Sequence, residues 1–287
     1  MSSDAKNDCV AGQVFDARAL GRAAKRSPNL RRRVSSGRGF FRDRGCPAAM
    51  MVALFVSTVG APGARAADVP AWGAVIAFES DNLYHGLSES RGEPTPVVDV
   101  YLEPLDEDYI GASVSRVNLP GIGPSVETSV YAGDSGVIGV NWRLSGSVSR
   151  YFYSSRTPDL TYDFTELTAT LDWRGLVSLG AFGSADDSTY SRRGALRSGM
   201  SLGGEVAAHY EIVPKLTIAA GAGYRHLGTP IDRGYFYADV GVIWELSRWQ
   251  IDLEAIGVDS DAKSLFGRDR AGNRGVLTLI RRFGPWH

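Results

Sequence analysis

The chain has 287 residues with a formal net charge of −1, but the charge is unevenly spread: residues 1–66 hold 12 Lys and Arg against 4 Asp and Glu, leaving 19 against 28 in residues 67–287. The near-neutral total is therefore a basic leader joined to an acidic body of net charge −9. Both cysteines, Cys9 and Cys46, lie in the leader, which removes disulfides, thiolate metal sites and a cysteine nucleophile from the body. After residue 67 no apolar run reaches the roughly 18 residues that a spanning helix needs.

Ala48 to Val59 is a short apolar run, preceded by Arg38, Arg42 and Arg44 and followed by Ala64-Arg65-Ala66, an A-x-A cleavage pattern. The combination predicts a cleavable secretory signal peptide, so residues 1–66 are set aside and residues 67–287 form the folded body. The Arg31-Arg32-Arg33 cluster is read as part of an extended basic prelude rather than a nucleic-acid patch.

From residue 72 onward the chain alternates with period 2. Trp72, Ala74, Ile76 and Phe78 share one face of a first strand, ending at Glu79. Val98, Val100 and Leu102 oppose Asp99, Tyr101 and Glu103; Ile110, Ala112 and Val114 oppose small residues; Val126, Thr128 and Val130 oppose Glu127 and Tyr131. A fifth strand sets Ile138, Val140, Trp142 and Leu144 against Arg143, and a sixth sets Leu167, Ala169, Leu171 and Trp173 against Glu166 and Asp172. Val177, Leu179 and Ala181 mark a seventh, and Leu202, Val206, Ala208 and Tyr210, opposite Glu205 and His209, an eighth. Leu216 to Tyr224 is a ninth. The tenth, Phe236 to Leu246, sets Asp239 and Glu245 against Val240, Val242 and Trp244; the eleventh, Trp249 to Ala255, opposes Asp252 and Glu254. The last runs from about Gly275 to Phe283, with Leu277, Leu279 and Phe283 on one face and Arg281 interrupting it.

About 12 strands, joined by connections that alternate long and short, predict an all-β fold: an antiparallel up-and-down transmembrane β-barrel. The long or medium connections are 81–94, 119–125, 154–162, 184–198, 226–234 and 258–273; the short ones include 105–108, 133–136 and 174–175. Aromatics at strand ends (Trp72, Trp173, Tyr210, Tyr224, Trp244, Trp249) fit interfacial girdles, and a soluble sandwich is the competing architecture.

The stretch Phe78 to Pro94 reads F-E-S-D-N-L-Y-H-G-L-S-E-S-R-G-E-P. It resembles the opening pattern S-D-Y-x-F-R-G-x-S-x-S-x-G-x-P of the TorF family of proteobacterial outer-membrane porins. Ser80, Asp81, Gly86, Ser88, Ser90, Gly92 and Pro94 fit, Tyr84 keeps an aromatic, and Asn82 and His85 depart. The segments Tyr109–Ser115 and Val126–Gly133 look like the family's next two blocks, so the likeness covers residues 78–133. The resemblance implies an outer-membrane location, contact with outer-membrane lipid and dependence on the barrel-assembly machinery during biogenesis.

With the apolar faces against lipid, the opposite faces carry Glu79, Asp99, Glu103, Glu127, Glu166, Asp172, Glu205, Asp239, Glu245, Asp252 and Glu254 against Arg143, Arg174, Arg225 and Arg282. Such a lining predicts passive diffusion of small solutes with a mild cation preference. The alternatives are an interior plugged by its own ion pairs, giving a non-conducting structural or interaction barrel, and a membrane-embedded hydrolase using His85 and Ser88 with Asp81. No G-x-S-x-G elbow supports the hydrolase. Asp81 has a bland reading as a turn residue capping its own loop. The run Asp259-Ser260-Asp261-Ala262-Lys263 lacks the glycine and distal glutamate of a calcium loop and reads as solvated loop. No cofactor, metal or nucleic acid is called for.

Overall fold

A computed structural model describes residues 71–284, apart from 106, 122, 156–161, 188–189, 192–193 and 196–198; the predicted leader lies outside these residues. Sixteen strands and one helix are described. In chain order they are β1 (Ala71–Glu79), β2 (Leu83–Tyr84), β3 (Leu87–Ser88), β4 (Thr95–Leu105), β5 (Asp108–Leu119), β6 (Gly123–Ile138), β7 (Trp142–Tyr153), β8 (Phe164–Trp173), β9 (Val177–Asp187), β10 (Tyr190–Ser191), β11 (Gly194–Ala195), β12 (Gly199–Val213), β13 (Leu216–Leu227), β14 (Arg233–Leu246), β15 (Trp249–Val258), helix α1 (Ser260–Phe266) and β16 (Arg274–Phe283).

Twelve of the strands close a barrel in the order β1-β4-β5-β6-β7-β8-β9-β12-β13-β14-β15-β16, each antiparallel to its neighbours. Closure is made by β1 and β16, with Ala77 opposite Ile280 and Glu79 opposite Thr278. A closed ladder leaves no edge strand unpaired. The period-2 pattern sorts side chains between two environments. Ile76, Phe78, Val98, Val100, Ile110, Leu167, Leu253 and Leu277 are exposed on the outer face, while Val75, Ala77, Val97, Ser129, Tyr235 and Ile280 are buried inside.

One predicted boundary is corrected. Gly133 and Gly136 lie within β6, and the turn into β7 falls at residues 139–141. Gly139 has φ +72, the left-handed conformation that a tight turn asks of glycine. Gly133 instead makes room for a neighbour: a Cβ there would stand 2.3 Å from the Tyr109 hydroxyl. The predicted fifth strand therefore begins at Trp142, not Ile138. A second correction concerns Arg174, which is exposed in the turn after β8, donating to Asn141 Oδ1 at 2.9 Å, rather than facing the interior.

Candidate functional site

The long connection after β1, residues 80–94 (L1), folds into the barrel rather than away from it. Its scaffold is the Asp81 carboxylate. Oδ1 accepts hydrogen bonds from Ser88 Oγ at 2.5 Å, Ser90 Oγ at 2.7 Å and the Gly92 N–H at 3.1 Å, while Oδ2 pairs with Arg274 of β16. The Asn82 N–H donates to Ser90 Oγ at 3.0 Å, and Ser80 exchanges two hydrogen bonds with Leu277, extending the β1–β16 ladder. Asp81 is thus the organiser of its own loop, and the resembling motif residues Ser80, Asp81, Ser88 and Gly92 have structural roles.

Within L1, β2 and β3 form a hairpin with His85-Gly86 as its two-residue turn. Both residues have positive φ, +46 and +79, the requirement of the turn that suits hairpin twist. Gly86 is also pressed against the opposite wall: a Cβ would meet Tyr237 Cβ at 2.5 Å. The tip crosses the whole lumen. His85 stacks on Phe182 of β9 with ring centroids 3.8 Å apart, and β9 lies six places from β1 in either direction around the barrel.

The tip is held by polar contacts to several strands. His85 Nε2 lies 3.2 Å from Glu166 Oε2 on β8 and Nδ1 lies 3.3 Å from the Tyr237 hydroxyl on β14. The Tyr235 hydroxyl donates to the His85 carbonyl at 3.1 Å, and the Tyr84 hydroxyl donates to Glu166 at 2.5 Å. Burial, reinforced by the Glu166 carboxylate, holds the Tyr84 phenol well above the usual tyrosine range, which keeps it a donor. Arg225 of β13 covers the Tyr84 ring at 4.9 Å and pairs with Asp187 at 2.5 Å.

Both flanks of the hairpin are packed. On one side Tyr84 leans on Val117, Leu119, Tyr151, Tyr153, Tyr162 and Phe164. On the other, Leu87 packs with Leu227, Tyr235, Tyr237, Val258 and the buried residues Ala262, Leu265 and Phe266 of α1. The helix belongs to residues 259–273 (L6). Asp259 caps it by accepting from the Ala262 N–H at 2.8 Å. The reading of 258–273 as merely solvated is corrected: L6 turns an apolar face inward, and Arg270 Nε and the Arg270 carbonyl bind the Ser88 carbonyl and N–H at 3.1 and 2.9 Å.

Below the hairpin, toward the short turns, the interior is polar. Glu205, Asp239, Glu245 and Glu254 on β12, β14 and β15 are half-buried and face inward, as do Glu103, Arg143 and Arg282. Glu205 accepts from the Tyr237 hydroxyl at 3.1 Å, and Asp239 lies against Gly221, whose Cβ would stand 2.7 Å from Oδ1. Further acids on inward positions have partners of their own. Asp99 accepts from the Tyr131 hydroxyl at 2.9 and 2.8 Å, Asp172 from the Gly175 N–H at 2.7 Å, and Asp252 from Gln250 Nε2 at 2.9 and 2.8 Å. Arg143 donates to Ser135 Oγ at 2.8 Å. Glu79 and Glu127 are buried at the long-loop end, at the level of the hairpin.

The hydrolase alternative requires a His85–Ser88 pair. Instead Ser88 Oγ serves Asp81 and the imidazole sits between Glu166 and Tyr237. Sequence reasoning did not single out Phe182, Tyr237, Asp187, Glu89 or Arg270. The first two carried a faint signal, since aromatics on inward faces near glycine have somewhere to lie: a Cβ on Gly203 would stand 2.1 Å from Phe182 Cζ.

No protein-family model matches the chain, and no characterised protein matches it in sequence. Among solved structures it is similar to the KdgM porin, with TM-score 0.47 and 11% identity over 74% of this chain and 99% of that one. It is also similar to the NanC porin, with TM-score 0.48 and 10% identity over 73% of this chain and 98% of that one. The COG4313 outer membrane channel from Pseudomonas putida F1 gives TM-score 0.48 and 14% identity over 78% of this chain and 100% of that one. These neighbours are outer-membrane porins and channels, and the likeness is one of barrel shape alone.

Proposed function

We propose that the chain is an outer-membrane channel for small solutes, mildly cation-preferring, whose external mouth is closed by L1 and L6 in the state described. The observation that carries this reading is the set of half-buried carboxylates on inward-facing positions beneath the hairpin, Glu205, Asp239, Glu245 and Glu254. Carboxylates on a low-dielectric wall concentrate cations and repel anions. The outward belt of Val, Leu, Ile and Phe matches a lipid environment, and short turns belong on the periplasmic side, which places L1 and L6 outside. The likeness of residues 78–133 to the TorF family belongs to the same reading, as do assembly by the barrel-assembly machinery and export with a leader removed before residue 67. N-terminal sequencing of the membrane-extracted protein is then expected to begin near Ala67, and an intact leader there would refute export by cleavage.

The charge reading is tested in a planar bilayer under a KCl gradient, with L1 shortened so that the mouth is open. Replacing Asp239 by Asn and Glu245 and Glu254 by Gln should bring a potassium-favouring reversal potential close to zero, a permeability ratio of about 1. Anion selectivity before the substitutions would contradict the proposal. The close packing of the mouth favours one second reading, a non-conducting barrel that presents its loops. A folded, inserted barrel that stays silent with L1 shortened would establish it.

A further inference from the structure

The last strand carries one charge on its outward face. In β16, Val276, Thr278 and Ile280 point into the barrel, and Leu277, Leu279, Arg281 and Phe283 take the opposite side. Leu277 and Leu279 are exposed, as is Ile76 of β1, a cross-strand partner of Arg281, so the arginine interrupts an apolar belt. Its other cross-strand partner is Trp249, the first residue of β15. The guanidinium carbon stands 4.7 Å from the centre of the Trp249 ring and 5.5 Å from that of Phe283. Both are cation–π distances. The position lies at the short-turn end: Trp249 follows the Ser247-Arg248 turn, where the Arg248 carbonyl accepts from the Arg282 N–H at 3.0 Å and the Arg248 side chain is exposed. Trp72 and Trp244 are exposed on the same outward alternation of β1 and β14.

Two arginines elsewhere on the barrel also face outward, toward the long-loop end, and each is neutralised. Arg116 of β5 pairs with Glu93 at 3.1 Å, and Arg150 of β7 pairs with Asp186. Arg281 meets rings instead. No carboxylate among the described residues pairs with it, and the outward positions of β14, β15, β16 and β1 hold no acid. A ring face attracts a cation but leaves its charge and its planar fork of donors unmatched. An arginine is costly deep in hydrocarbon and nearly free at the interface, which the tryptophans mark. The anion present at that level of a bilayer is lipid phosphate, which accepts a bidentate guanidinium pair.

We infer that Arg281, framed by Trp249 and Phe283, is a headgroup site for the phosphate of a glycerophospholipid in the leaflet on the short-turn side. The inference rests on reading the outward belt as lipid-facing, and it holds whether or not the lumen conducts. Leu277, Leu279 and Ile76 continue the site into the belt as a bed for the acyl chains, which commits it to a lipid rather than to free phosphate. Arg248 adds positive charge at the same rim.

The test is native mass spectrometry of the membrane-extracted protein, delipidated in detergent and titrated with phosphatidylglycerol or with a diacylglycerol that lacks phosphate. One phosphatidylglycerol per chain should be retained at least about tenfold more tightly than the diacylglycerol. Arg281→Gln should weaken that retention by about tenfold or more, and Arg281→Lys should fall between, because an ammonium keeps the charge but not the fork. Arg116→Gln, whose charge already has its carboxylate, should leave retention unchanged. Heat-modifiable migration checks that each variant is folded. Phosphatidylglycerol held equally by Arg281→Gln, or no more tightly than the diacylglycerol, would show a merely hydrated guanidinium and overturn the site. Complete displacement by inorganic phosphate would make it a free-anion site and overturn the lipid. Flotation with phosphatidylglycerol vesicles separates the two failures. A folded barrel that does not float refutes the lipid-facing belt itself, whereas one that floats while Arg281→Gln changes nothing refutes the headgroup site alone.

Discussion

Replacing residues 82–90 with a short glycine–serine bridge is expected to turn a closed barrel into one that carries persistent current. The hairpin removed is the only described segment whose tip reaches from β1 to the diametrically placed β9, through the His85–Phe182 stack. It supplies Tyr84 to one packed flank and Leu87 to the other, so both flanks lose their central member together. The barrel ladder does not depend on it, because β1 pairs with β4 and β16 through residues outside the excised span. Twelve strands enclose more space than the eight whose interior side chains fill completely. If seating the loop is favoured by as little as about 1.4 kcal/mol, the wild type is open roughly a tenth of the time, so mean current should rise about tenfold or more. A heat-modifiable, inserted variant that remains silent would favour the non-conducting barrel over the channel.

Much of this arrangement could be read in advance, and the reason is physical. In β14, Phe236, Ala238, Val240, Val242 and Trp244 alternate with Tyr237, Asp239, Gly241 and Glu245 because each strand faces two different environments, and a period of 2 records both locally. The same alternation assigned Asp239, Glu245, Asp252 and Glu254 to one face. What could not be read was long-range. Nothing near His85 announces Phe182 or Tyr237, since their contact is made by the curvature of the barrel. The turn misplaced at 133–136 failed for a related reason: Gly133 looks like a turn residue, but its missing side chain answers the Tyr109 ring across the ladder. L6 was misread because α1 is only 7 residues long, too short for helical periodicity to stand out from a polar loop. Asp81 was legible as a loop-capping residue because its partners, Ser88, Ser90 and Gly92, are close in sequence; its pairing with Arg274, 193 residues away, was not.

That pairing carries the second large expectation: Asp81→Ala should unseat L1 while leaving the barrel folded. The substitution removes the acceptor shared by two serine hydroxyls and the Gly92 N–H, and leaves the Arg274 guanidinium without its carboxylate inside the mouth. Removing one partner of a fully buried pair costs about 3–5 kcal/mol. Arg274 retains carbonyl acceptors at Asp269, Arg270 and Gly272, and its side chain is 15% exposed, which lowers the expected cost to about 2–3 kcal/mol. Because these contacts tie L1 to itself and to the first residue of β16, the loss falls on the seating of the loop. At about 1.4 kcal/mol per decade the open-to-closed ratio should rise roughly thirtyfold to a hundredfold, seen as mean current and as maleimide labelling of Leu87→Cys, both levelling off once the mouth is mostly open. Heat-modifiable migration should stay unchanged, since it reports the ladder. Asp81→Asn is the graded case: the amide oxygen still accepts from Ser88 and Ser90, and only the charge facing Arg274 is lost, so its effect should fall between wild type and Asp81→Ala. A double-mutant cycle with Arg274→Ala isolates the ion pair from the serine bonds. Were Asp81→Ala to leave both current and labelling at wild-type levels in a folded barrel, the carboxylate would only tidy its own loop, and the hold on L1 would have to come from the packing of Tyr84 and Leu87 and the contacts of His85 at the tip.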